Sequence, residues 1–256
     1  MLCSSLFVVA VNTVSDLLTS LTTSFAGLLE GTIAVSVNSL KAVFGLLQTT
    51  VNLGITTLNS VLKSVLSLTG SLLSSVGSLV TSLFTGLFTA LTQTLTFIVE
   101  LVKSGVTLGA DVVQLLLDTV SSVAGLLTTV LGQLLKLVTG LVKAGTEAAL
   151  TLAKALLNVL FGVVKTLVGL LKTVTDALAD VGGELSDAAK SVLSAVQSAL
   201  NGVLGTLKTA LTGLLTTMNG LLNGAIGVQK TLLTDISSLL TSIIALIPSG
   251  VQSGQA

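Results

Sequence analysis

The sequence predicts an all-α chain with no sheet. From Leu40 onward, apolar residues recur at the three- and four-residue spacing of a helix. Within that run Glu100, Asp118, Lys136, Lys154, Lys172, Lys190 and Lys208 fall eighteen residues apart. Eighteen residues make five whole turns at 3.6 residues per turn, so on one straight helix the seven charges form a single polar line. Opposite that line lies an apolar face: Leu127, Leu134, Val138, Leu152, Leu156, Val163, Leu167, Val174, Val181, Leu185 and Val192. The pattern predicts long amphipathic helices, either extended or folded back into a helical bundle.

Residues 1–16 form an N-terminal segment with two readings. Leu6 to Val11 resembles the apolar region of a signal peptide but lacks the basic residues that precede one. The other reading is a first helical turn or a frayed start. An amphipathic helical domain then spans 17–247. Its first stripe is Leu17, Leu21, Phe25 and Leu28, interrupted near Gly31. Ile33, Val35 and Val37 alternate in strand fashion, but three positions are too few for a strand. Leu40, Phe44, Leu47 and Val51 resume helical spacing up to an expected break near Gly54.

From Leu58 a stripe runs unbroken to Ile98, with no charge between Lys63 and Glu100. Its length suits a membrane span, which needs about 20 predominantly apolar residues. Ser, Thr and Gly at nearly every turn suit the weak face of an amphipathic helix instead. A further break is expected at 105–109, with Asp111 capping the next helix. Gly182 and Gly183 form the strongest break signal and the expected hinge. Adjacent glycines cost a helix interior about 1 kcal/mol each relative to Ala. Asp180, Glu184, Ser186 and Asp187 suit the start of the helix that follows. The chain loosens again at 220–227, and the last stripe ends at Ile247-Pro248, because the residue before proline disfavours the helical region. Residues 248–256 form a tail.

Composition narrows the function. Half of the residues are hydrophobic and mean hydropathy is +1.04, which excludes ordinary disorder. All eleven basic residues are Lys and they balance eleven acids, so nothing supplies the basic footprint of a nucleic-acid binder. The absence of His excludes Ser/His/Asp and Cys/His nucleophilic sites, and the single Cys3 cannot build a thiolate metal site. No Gly-rich phosphate fingerprint occurs. Asp176, Asp180, Glu184 and Asp187 are the densest acidic group and suit a solvated helix start. No catalytic, cofactor or metal site is therefore expected.

A straight helix from Glu100 to Lys208 would be about 160 Å long, whereas a compact domain of this size has a radius of gyration of about 18 Å. Either the segment folds back at glycines, or it lies extended on a flat apolar surface. The shared phase favours the extended form, because loops normally reset the angular register of successive helices. An eleven-residue spacing is also present in Lys143, Lys154, Lys165, Asp176 and Asp187.

Over Glu100 to Lys208 this periodicity, with pairs such as Lys165-Thr166, Lys172-Thr173 and Lys208-Thr209 and few aromatics, resembles the amphipathic repeats of perilipins, synucleins and exchangeable apolipoproteins. The resemblance implies a non-enzymatic protein that coats a lipid or other apolar interface. It also implies a secreted or lipid-surface location. An apolar arc about 200° wide, against the usual 100° or so, implies deeper burial than reversible exchange requires. The alternatives are a self-assembling secreted structural protein and an integral membrane protein. The Lys line is either a contact to phospholipid headgroups or a solvated face.

Overall fold

In the computed structural model, residues 2–31, 35–180 and 182–248 are described. Among them the chain forms seven helices and no strand: α1 Leu2–Leu29, α2 Val37–Val65, α3 Gly70–Lys103, α4 Ala110–Ala144, α5 Glu147–Ala179, α6 Asp187–Leu222 and α7 Val228–Leu246. The fold is an all-α helical bundle, and the extended rod is corrected. The 100–208 segment is broken between α3 and α4, between α4 and α5, and between α5 and α6.

Several helix ends have a local cause. Ser36 starts α2 with a capping box, its hydroxyl accepting from the Ser39 N–H while Ser39 accepts from the Ser36 N–H. Thr146 and Ser186 cap α5 and α6 by accepting from Ala149 and Ala189. At the end of α4, Gly145 takes a left-handed conformation, φ 70°, and its N–H bonds back to Leu141. That geometry ends a helix and favours glycine. Ile247 turns extended ahead of Pro248, which ends α7.

Five sequence expectations change. Gly54 does not break α2 but lies buried inside it, where a methyl group would meet Leu87 Cδ2 at 2.5 Å. The glycine serves close approach of α2 to α3. The stripe from Leu58 to Ile98 is interrupted at 66–69, where Ser67 and Leu68 bond back to Ser64 and Val65 in a tight turn without Pro or Asn. The α4–α5 turn at 145–146 is a further break. Gly109, not Asp111, occupies the N-cap of α4, and Asp111 sits in the first turn, where its charge complements the helix dipole. Gly220 remains within α6, so the loosening at 220–227 narrows to 223–227. Residues 2–16 continue directly into α1. Ile33, Ala34 and 249–256 lie outside the described residues.

The helices pack in two layers. α1, α3, α5 and α7 lie side by side in one layer, and α2, α4 and α6 in the other. Helices within a layer run parallel. Val14 lies beside Gly86, Thr22 bonds Gln93 and Phe25 stacks on Phe97, which fixes α1 along α3. Asn59 bonds Gln133 and Leu66 lies against Gly140, which fixes α2 along α4. The sequence separations of these bonds are 71 and 74 residues, so same-layer neighbours are two helix-and-loop units apart. Between layers the direction reverses: Gly54 meets Leu87, and the Phe44 ring meets Phe97 edge-on at 6.3 Å.

The core is the seam between the layers. α3 lies against α1, α2, α4, α5 and α6, and buries residues around most of its circumference, including Phe84, Phe88, Thr94, Phe97 and Ile98. Its central position accounts for the charge-free stretch between Lys63 and Glu100. A helix flanked on both sides and covered from the opposite layer needs an apolar arc much wider than one surface stripe.

Candidate apolar interface

The predicted apolar face forms the inner surface of the two layers. Leu127, Leu134 and Val138 on α4, Leu152, Leu156, Val163, Leu167 and Val174 on α5, and Val192 on α6 are all buried. Leu185, in the α5–α6 connection, is half-buried, and Val181 lies outside the described residues. In the folded bundle this face touches neighbouring helices, so an external apolar surface reaches it only after the layers part.

The polar line runs along the opposite sides of α3 to α6. Glu100, Asp118, Lys136, Lys172 and Lys190 are exposed, and Lys154 and Lys208 are half-buried. The eighteen-residue phase survives the loops because a helix plus its connection is close to two such periods. Each of α4, α5 and α6 thus presents two line members to solvent. Lys172 Nζ donates to Asp176 Oδ2 at 2.7 Å on the surface of α5. Such an exposed pair contributes about 0.3–0.5 kcal/mol. Lys154 Nζ reaches Asp235 Oδ2 at 3.5 Å and links α5 to α7.

Polar links between helices are sparse among the described residues. Besides Lys154–Asp235 they include Thr22 to Gln93, Gln133 to Asn59, Gln197 to Thr175, and Gln229 to the Gly145 carbonyl. Most Thr hydroxyls instead donate to the carbonyl four residues back on their own helix, as Thr92 does to Phe88 and Thr94 to Ala90. This internal bonding lets α3 bury threonine without an orphaned donor. Adhesion between layers is therefore apolar and non-directional, with about 1.5–3 kcal/mol from each fully buried Leu, Val or Phe.

The expected hinge residues Gly182 and Gly183 lie in the α5–α6 connection, both exposed. Gly183 has φ 73°, and the Gly182 N–H donates to Asp180 Oδ1 at 3.1 Å. The connections at 104–109 and 223–227 are of comparable length, so geometry does not single out 182–183.

α3, α4 and α5 are each long and apolar enough to cross a membrane by length and composition. What the linear sequence did not reveal is where its ends gather. The N-termini of odd helices meet the C-termini of even ones, so charges far apart in sequence collect at the same end of the bundle. The contact pairs that fix helix direction were the missing signal. No family model matches the chain, and neither the curated proteins nor the solved structures contain a significant match.

Proposed function

We propose that the chain is a non-enzymatic, surface-active helical protein that coats a lipid or other apolar interface by parting its two layers. The observation that carries this reading is the character of the inter-layer seam. Buried Leu, Val and Phe hold it together with few directional polar bonds to replace. An apolar surface offers those side chains the same gain that the opposite layer offers, while the outward lysines stay in water. Short connections near Gly31, Gly105 and Gly183 supply the joints.

A reversible lock tests the opening step. Gly54→Cys with Leu87→Cys ties α2 to α3, and Thr175→Cys with Gln197→Cys ties α5 to α6, both across the seam and in a Cys3→Ser background. The oxidised form is expected to adsorb slowly and lower surface tension little, and reduction is expected to restore wild-type spreading. Equal spreading before and after reduction sinks the opening mechanism.

A second reading, an integral membrane protein, is favoured by the length and composition of α3, α4 and α5. Against it stands the polar line: Asp118, Lys136 and Lys172 point outward, where a bilayer would place lipid. Quantitative recovery in detergent-free buffer separates the two, since a spanning protein requires detergent.

A further inference from the structure

We propose that the two ends of the bundle bind each other, so that copies of this chain join head to tail into open linear chains. The chain is neutral overall, but its charges are sorted by end.

One end gathers the start of α1, the 66–69 turn, the 145–146 turn and the 223–227 connection. Within four residues of the helix termini it holds Lys63, Lys143 and Lys230 against Glu147 alone. Leu66, Leu72, Ile226 and Val228 protrude there, and Ile226 is 86% exposed. The other end gathers the C-termini of α1, α3, α5 and α7 and the N-termini of α2, α4 and α6. By the same measure it holds seven carboxylates, Glu30 and Glu184 among them, against Lys41, Lys103 and Lys190. Among the described residues, Leu29 and Val106 are its exposed large apolar side chains.

Helix dipoles do not account for the sorting. Lys63 and Lys143 sit favourably at helix C-termini, but Lys230 lies in the first turn of α7, and Asp176 and Asp180 lie at the C-terminal end of α5, each against the local dipole. Asp176 is partly compensated by Lys172 on its own helix.

Head-to-tail stacking resolves both anomalies. It sets Lys63, Lys143 and Lys230 against the carboxylate-rich end of the next copy and covers Ile226 and Val228. Layers continue in line, so C-termini of even helices face N-termini of even helices. Seven helix ends spaced about 9 Å apart cover about 600 Å². Two such faces bury about 1,100–1,200 Å² in total, near the lower bound of specific interfaces, so the association is concentration-dependent. Because the two surfaces differ, the contact is heterologous and does not close at a dimer.

The test uses the full chain in low-salt buffer, with light scattering and small-angle X-ray scattering across concentration. Wild type is expected to lengthen along one axis by about 50 Å per added copy, the length of a 33–36-residue helix, and to dissociate at high salt. Lys63→Glu/Lys143→Glu/Lys230→Glu makes both ends acidic. Glu30→Lys/Glu100→Lys/Glu184→Lys makes the acidic end basic. All six positions are exposed, and circular dichroism checks that helicity is unchanged. Each variant alone is expected to stay monomeric, and an equimolar mixture is expected to regain chains. Association that stops at a dimer, or a mixture that stays monomeric, overturns the proposal. So does wild type that remains monomeric at millimolar concentration while its Lys-rich end binds phosphatidylglycerol vesicles, which would make that end a lipid-docking surface instead.

Discussion

The Gln133 side-chain amide donates to Asn59 Oδ1 across α2 and α4, and Gln133 Oε1 is left buried without a partner. The pair is one of few polar links inside a layer and fixes the register of two parallel helices. Removing Asn59 by Asn59→Ala strands the Gln133 amide and should cost about 1–2 kcal/mol. Gln133→Leu removes the unpartnered oxygen and should be neutral or mildly stabilising. Urea midpoints of the two variants provide the comparison, and a larger loss in Gln133→Leu contradicts it.

Glycines divide by what lies beside them. A methyl group at Gly54, Gly77 or Gly140 would meet Leu87, Leu152 or Leu66 at under 3.0 Å, whereas Gly125, Gly162 and Gly213 have open space. Gly54→Val should destabilise by about 1–3 kcal/mol through overpacking. Gly125→Ala, Gly162→Ala and Gly213→Ala should each stabilise by about 0.5–1 kcal/mol, since Ala restricts the unfolded chain and favours helix. Chemical denaturation of the four variants reads both signs.

The double glycine lies in the break that the sequence expects, between α5 and α6. Joining α5 to α6 by Ala at both positions would raise helicity if the pair were merely a helix defect. Gly183 instead has a positive φ, so Gly183→Ala should cost about 1 kcal/mol or more without extending either helix. Thermal unfolding and far-ultraviolet ellipticity measure this; a gain in both would show that the turn is dispensable.

Leu156 is fully buried and Val163 nearly so. Leu156→Lys with Val163→Lys places two charges in the inter-layer seam and should unfold the bundle in plain buffer, since each exceeds the usual mutational loss. Lys154→Gln with Lys172→Gln removes two surface charges and should shift stability by about 1 kcal/mol or less. Solution helicity separates the pairs. Retained helicity in the first would mean that α5 is not held by this seam.

The sequence by itself determined the class, the phase and several ends. Helical spacing required helices, Ser186 and Pro248 marked a start and a stop, and every charge in the Glu100–Lys208 line reached solvent or the half-buried rim. Gly145-Thr146-Glu147 carried a helix stop and start that the unbroken phase concealed, and 66–69 carried almost no signal. Only the tertiary structure decided that the phase belongs to stacked antiparallel helices rather than a rod. Angular periodicity records which side of a helix is apolar, not whether the chain later reverses. The same reversals brought Lys63, Lys143 and Lys230 together at one end, and Glu30, Asp180 and Glu184 at the other. No local pattern encodes that sorting, because it depends on how many times the chain turns between one charge and the next.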